Sequence, residues 1–376
     1  MRMRIVLAPD SFKESMTAAT AAAAMARGVT RVWPAAECRS VPVADGGEGT
    51  LEVLAAALGA EVRTVATTDP LGRPVAAAFG IAGEVAIIEV ATAIGLELVS
   101  AELRDIERAS TIGLAKVFVA ALDAGVSKVI VGIGGTATCD GGAGLLVGLG
   151  ARLLDAAGVE VRADPAGLTH LDHLDLSGLE PRLASVHLEI AGDVTNPLLG
   201  ATGAAAVFAP QKGARADQLP GLEAGLARLA EALVAAGLPD VRDLPGAGAG
   251  GGLGGALLAL GARLRSGAEV VGEATGLDAA IAGADLVLTG EGSLDAQTAS
   301  GKAVSAVVAM AARHRVPVIA FAGRIADPEA LAGLGLAAAV AIAPVGMPNA
   351  EAVRLGPRLL EDAVAATLAT WPRASQ

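Results

Sequence analysis

The chain has 376 residues, 53% hydrophobic and 18% charged, a length that exceeds one ordinary core and a composition that suits two folded domains and not a disordered chain. A formal net charge of −12, 2% aromatics and no tyrosine exclude the clustered basic surfaces and base-stacking platforms on which nucleic-acid binding depends. The two cysteines, Cys38 and Cys139, form neither a disulfide framework nor a CxxC pair, which points to a reducing compartment.

The N-terminal stretch MRMRIVLAPDSFKES has no signal-like apolar region: its apolar run is only a strand's length, and Asp10 follows at once. RIVLAP (Arg4–Pro9) reads as a buried parallel strand, and the segment Thr17–Val29 as a helix with Thr17 at its N-cap. CRSVPVADGG predicts a second strand ending near Val43, and EGTLEVLAAALG a second helix closing at Gly59. This βαβα opening predicts a parallel α/β sheet.

From Glu61 to Val99 the rhythm changes to short alternating runs separated by turn residues, the pattern of antiparallel strands. A helix near Ser110–Ala124, strands at Lys128–Ile133 and Val186–Ala191, and an amphipathic helix over Leu219–Gly237 follow. The uncharged stretch Leu244–Ala262 is too short and too rich in glycine to span a membrane, so a cytoplasmic protein without a membrane partner is expected. After about Asp278 the opening rhythm returns: a strand at Ala284–Thr289, the helix SGKAVSAVVAMAARH, the strand VPVIAFAG, the strand AAAVAIAP and a final helix near Ala350–Thr370. Two strands before the interruption and three after it predict one five-stranded, doubly wound parallel sheet. This domain comprises residues 1–60 plus 281–376, with a second α/β domain, 61–280, inserted.

Ligands of a doubly wound sheet collect beyond the carboxyl ends of its strands. The first strand delivers Asp10, Ser11 and Lys13; the second delivers Asp45, Gly46, Gly47 and Thr50; the third delivers Glu291, Asp295, Thr298 and Lys302. In the insert, GIGGTATCDGG offers Gly134, Gly135, Thr136, Thr138 and Asp140, GDVTNPLLG offers Asp193, Thr195 and Asn196, and FAPQKGA offers Gln211 and Lys212. Singly each has an ordinary alternative: loop acids cap turns, glycines make tight turns and lysines are solvated. His170 and His173 form an HxxH without further ligands, and Cys139 has no nearby histidine to activate it. Jointly, carboxylates, lysines and glycine-rich turns are the mixture phosphoryl transfer needs: backbone N–H groups for phosphate oxygens, lysines for developing charge, and carboxylates for Mg²⁺ and the acceptor proton.

Generic nucleotide motifs are absent. Around Lys302 the chain reads AQTASGKA, with Ala296 and Ala303 where a P-loop needs glycine and serine or threonine. The GxGxxG matches at Gly246 and Gly250 lie in a glycine tract that does not follow a strand.

The segments APDSFKES, VPVADGGEGT, GIGGTAT with DGGAG, DVTNPLLG, PQKGA, PGAGAGGGLG and TGEG with its following LD, QT and GK, in this order from about Ile5 to Lys302, resemble the bacterial glycerate kinase family. The resemblance implies a flavodoxin-like domain with a different α/β domain inserted. It implies ATP and D-glycerate as substrates, Mg²⁺ as cofactor, and transfer in the interdomain cleft, with 2-phosphoglycerate favoured over 3-phosphoglycerate. It implies no particular oligomeric state. The corresponding role assignment makes Asp193, Asp295, Lys13 and Lys302 catalytic. Asp193, Asp295 and Glu291 stand on the metal side, Asp45 orients substrate or metal, and Thr136, Thr138 and the amides of Gly134 and Gly135 cradle an anion. Three departures stand out: Cys139 where the family has asparagine, Ser293 where it has arginine, and TIGLAK (Thr111–Lys116) in place of SxGTGE. Loss of an arginine fork at 293 would weaken charge neutralisation by about 2 kcal/mol. Two rival readings are an NAD-dependent hydroxy-acid oxidoreductase and a non-catalytic sugar-acid-binding or regulatory protein on the same fold.

Overall fold

The computed structural model describes residues 2–295, 298 and 303–372, so Lys302 lies outside the described residues. The chain opens with strand β1 (Arg4–Pro9), a helix (Ala18–Val32) and strand β2 (Glu37–Ser40). The Thr17 hydroxyl accepts from the Thr20 amide and caps that helix as expected. After the helix Thr50–Leu58 come β3 (Glu61–Thr68), β4 (Pro74–Ala82), β5 (Val85–Glu89), β6 (Lys128–Gly132), β7 (Arg152–Leu154), β8 (His173–Asp175), β9 (His187–Ala191) and β10 (Arg263–Arg265). Strands β11 (Leu286–Leu294), β12 (Val318–Ile325) and β13 (Ala338–Ala341) and the helix Asn349–Thr370 complete the chain.

Two compact units result: Met1–Asp45, Glu52–Ala57 and Ser266–Gln376 form the first, Gly46–Leu51 and Leu58–Arg265 the second. The first holds a five-stranded sheet in the order β13-β12-β11-β1-β2, parallel throughout. Both faces are buried, which is why its strands read as continuous apolar runs. Ile5, Leu7, Leu288 and Phe321 pack under the helices Ala18–Val32 and Asn349–Thr370, while Val6, Ala8 and Val287 pack under Leu277–Ala282 and Ala303–His314. Leu277 and Ile281 thus belong to the core of the first unit, and the chain passes into that unit at Ser266, upstream of the boundary near 280 that the hydrophobic rhythm suggests.

Two strand lengths differ from the sequence reading. Strand β2 ends at Ser40, although the amides of Val41 and Val43 still donate to Leu7 and Pro9 beside β1. Strand β11 runs on past Thr289 to Leu294 because β12 runs on with it, pairing Ser293 with Arg324 and Leu294 with Ile325.

The second unit holds a six-stranded sheet in the order β10-β9-β6-β5-β4-β3. Strands β3, β4 and β5 pair antiparallel, as the alternating runs after Glu61 suggest, whereas β5, β6, β9 and β10 pair in parallel. A separate antiparallel pair joins β7 and β8. No helix among the described residues is long and apolar enough to cross a membrane.

Gly28 marks a close contact between the helices Ala18–Val32 and Asn349–Thr370: a Cβ there would stand 2.6 Å from the Glu361 carbonyl and 2.8 Å from the Val364 Cβ. Gly28→Val is therefore expected to destabilise the protein by about 1–3 kcal/mol through overpacking, read as a lowered Tm.

Candidate active site

In the first unit the carboxyl edge of the sheet gathers acids. The Asp10 amide donates to the Gly290 carbonyl at 2.8 Å, continuing the β1–β11 ladder by one residue and setting Asp10 beside Glu291. Both side chains are buried. Burial pushes the Asp10 carboxyl well above its usual range, and the neighbouring charges of Asp45 and Glu291 push it further; the Ser11 amide, 2.6 Å from Asp10 Oδ1, and the Lys13 ammonium oppose the rise. The Thr298 hydroxyl donates to Glu291 Oε1 at 2.7 Å and accepts from the Asp295 amide at 3.1 Å, so Glu291, Thr298 and Asp295 form one linked group.

The loop after β1 is tethered at both ends. Phe12 is buried and its amide donates to the Met16 carbonyl, while the Ser15 hydroxyl donates to the Val353 carbonyl of the last helix. Between these anchors Lys13 and Glu14 stand exposed, and Glu14 adopts a left-handed φ of 64°. Held that way, Lys13 presents its ammonium at the carboxyl end of the sheet.

In the second unit the glycine-rich turn after β6 is an interior joint. Gly134 was expected to offer its amide to an anion; that amide instead donates to the Gly46 carbonyl at 3.0 Å, and a Cβ at Gly134 would stand 2.6 Å from the Gly47 Cα. The glycines of both segments serve close backbone approach. Thr136 and Thr138 are buried, and Lys212, itself buried, donates through Nζ to Thr136 Oγ1 at 2.8 Å and to the Thr138 carbonyl at 2.7 Å. Burial lowers the Lys212 ammonium to a pKa of about 8, against the smaller raising influence of Cys139 and Asp140. The structure brings Thr136, Thr138 and Lys212 together: Lys212 binds the Thr136 hydroxyl and the Thr138 carbonyl, while the buried Thr138 hydroxyl has no hydrogen-bond partner among the described residues.

Asp140 is fully buried and satisfied. Its Oδ2 accepts from the Thr111 amide (2.7 Å), the Thr111 hydroxyl (2.8 Å) and the Gly144 amide (3.1 Å), and its Oδ1 from the Gly142 amide (3.2 Å). Burial raises its carboxyl, and these donors pull it back. Thr111, the first residue of the divergent TIGLAK segment, is thus a structural partner that sequence reasoning passed over. Cys139 is buried and its thiol is pushed up to about 11, the state of an inert core filler.

Asn196 donates through Nδ2 to the Thr202 carbonyl and closes the turn after β9 in which Asp193 lies. The amide of Gly248 donates to the Asn196 carbonyl, and Gly251, at φ +71°, would place a Cβ 2.0 Å from the Thr138 carbonyl. Close packing against these turns therefore explains the GxGxxG tract. Gln211 is exposed and accepts through its carbonyl from Arg104. Asp193 belongs to the second unit, Asp10, Asp45, Glu291, Asp295, Thr298 and Lys13 to the first. Among the described residues no three His, Cys, Asp or Glu side chains converge into a metal cage. At the position of the expected arginine, the Ser293 hydroxyl accepts from Arg324 Nε at 3.2 Å. Arg324 was missed, although a basic residue at the end of a strand was a signal of the same kind as those followed elsewhere.

The strand order of the first unit, with its acid-lined carboxyl edge, defines a doubly wound α/β protein of the flavodoxin-like class. A family model described as the glycerate kinase family matches residues 5–372. A glycerate kinase from Bacillus subtilis (strain 168) is 46% identical, with 93% of each chain covered, and a glycerate 2-kinase from Escherichia coli (strain K12) is 46% identical, with 86% of each covered. A crystal structure of a Salmonella typhimurium LT2 protein described as a glycerate kinase 2 superposes with a TM-score of 0.84 at 43% identity, covering 98% of both chains. The chain belongs to the glycerate kinase family and is a kinase.

Two outcomes follow from these carboxylates. Asp140→Ala strands three backbone donors and one hydroxyl in the interior and is expected to cost about 3–5 kcal/mol, measured by denaturant unfolding. Asp10 has a folded pKa above its unfolded 3.8, so its stabilising contribution is complete below 3.8 and is lost as the pH rises through the folded value. Asp10→Asn should accordingly melt above wild type at pH 7, with the gap closing as the pH falls toward 3.8.

Proposed function

We propose that this kinase transfers the γ-phosphoryl group of ATP to a hydroxyl of D-glycerate, with 2-phosphoglycerate as the favoured product. The observation that carries the reading is the acidic edge of the first unit, buried Asp10 and Glu291 with half-buried Asp45 beside the Thr298–Asp295 link, in a chain of this family. Carboxylates in this density match the demands of phosphoryl transfer, where little covalent chemistry falls to the protein and most of the work is placement and charge.

Hard oxygen donors suit Mg²⁺, which needs only one or two protein carboxylates when it arrives on nucleotide phosphates. Glu291 and Asp295, linked through Thr298, offer two, and Asp193 is a third proposed metal-side residue. Bound there, the ion would neutralise charge on the transferring phosphoryl group. The chain's own residues do the rest. Asp193 or Asp295 takes the proton of the acceptor hydroxyl as it attacks. Lys13 and Lys302 balance the oxyanions of phosphate or of the glycerate carboxylate. Asp10 and Ser11, next to Lys13, and Asp45 to Gly47 shape the acceptor site. The buried cluster of Thr136, Thr138, Asp140 and Lys212, with Asn196 and Gln211, holds the turns of the second unit in place.

The direct test is D-glycerate-dependent ADP release with Mg²⁺ present, with enolase coupling to identify 2-phosphoglycerate. Asp295→Asn is expected to lower kcat/KM by about two orders of magnitude, the usual contribution of a positioned acid or base. Turnover within twofold of wild type would remove Asp295 from the mechanism.

A further inference from the structure

We propose that Arg324 is an oxyanion-binding residue of the first unit that contacts phosphoryl oxygens of the nucleotide; the assignment rests on the kinase reading above and extends it to a residue outside the motifs. Arg324 lies at the carboxyl end of β12, paired in parallel register with Ser293 of β11, as Ala322 is paired with Glu291. Side chains two residues apart along a strand share a face, and in-register partners of a parallel pair point to the same side. Glu291, Ser293 and Arg324 therefore project from one face of the sheet. The Asp10 amide, bonded to the Gly290 carbonyl, puts Asp10 level with Glu291 on that face as well. Arg324 stands one residue pair, roughly 7 Å, beyond the Glu291 level, toward the edge where ligands of a doubly wound sheet bind.

The anchor of the side chain is neutral. Arg324 Nε donates to Ser293 Oγ at 3.2 Å, and no ion pair of Arg324 with an acid is present among the described residues. Several other guanidinium groups of this acidic chain are taken up by carboxylates, as Arg27 is by Glu361 and Arg242 by Asp240. A hydroxyl anchor at Nε orients the planar fork, keeps its full positive charge and leaves both terminal amino groups for a bidentate oxyanion. The electrostatic setting calls for such a group. Asp10, Asp45 and Glu291 crowd the same strand ends, Lys13 is the cation that opposes them at Asp10, and a polyphosphate would add more negative charge. The sequence reading counted Ser293 as a lost guanidinium. In the fold that serine holds one, supplied by the adjacent strand.

The test pairs direct binding with kinetics on the full-length protein, using Arg324→Gln and Arg324→Lys. ADP with Mg²⁺, titrated calorimetrically, is expected to bind Arg324→Gln about tenfold more weakly than wild type, with a matching rise in KM for ATP. KM for D-glycerate should stay within twofold, and the Tm should be unchanged because the side chain is exposed. Arg324→Lys, which keeps the charge without the fork, should fall between the two. Unchanged ADP affinity and unchanged KM for ATP in Arg324→Gln would overturn the assignment. A rise confined to KM for D-glycerate would also overturn it, transferring the contact to the substrate carboxylate. Should the wild type bind ADP yet form no phosphoglycerate, the kinase reading fails while the binding titration still decides Arg324.

Discussion

A carboxylate forced out of water beside two others is the constraint around which the first unit is organised. Asp10 is held level with Glu291, because its own amide continues the β1–β11 ladder, and it is poorly hydrated, because its side chain is buried at the strand ends. Like charges held close in a poorly hydrated place raise one another's affinity for protons and for cations. The local devices of the strand ends answer to this: the Ser11 amide on Asp10, the Thr298 hydroxyl on Glu291 and the presentation of Lys13 by a doubly anchored loop. A site of this kind is unfavourable for folding, and its density of charge is what a Mg²⁺–polyphosphate substrate can satisfy.

The second unit solves a related problem by another route. Asp140 is also a buried carboxylate, yet four donors from Thr111, Gly142 and Gly144 surround it, so its charge is used for architecture. The glycine-rich segments at 132–144 and 246–255 interlock so closely that side chains would collide, and Lys212 reaches in to bind Thr136 and the Thr138 carbonyl. A carboxylate satisfied as fully as Asp140 stiffens the turn that carries it. The same motifs that make the family recognisable are therefore in part packing motifs, and Gly251 is a plain case: its positive φ and its approach to the Thr138 carbonyl leave no room for any other residue.

Much of the fold was legible in the residues. The apolar runs at Arg4–Pro9, at Ala284–Thr289 and at VPVIAFAG are each continuous because both faces of a parallel sheet are covered, and they became β1, β11 and β12 of the sheet ordered β13-β12-β11-β1-β2. The alternating runs after Glu61 became the antiparallel strands β3 to β5. Less was legible at the candidate site. Sequence pattern marks which residues end strands, and so it places Asp10, Asp45, Glu291 and Asp295 at the strand ends of the first unit. It does not mark direction: Gly134, Thr136, Thr138 and Asp140 look outward in a glycine-rich turn until the packing of Gly46, Thr111 and Lys212 around them is known.

By itself the sequence determined the class of each segment, the interruption of one parallel sheet by a second α/β region and the family, because hydrophobic periodicity and ordered motifs are local properties of the chain. Only the tertiary structure decided which polar groups face one another. Register along β11 and β12 set Arg324 against Ser293, and the turn of the chain at Asp10 set three acids together. Such pairings join residues dozens or hundreds of positions apart. Their energies come from distance and desolvation in the folded protein, quantities that no local pattern encodes.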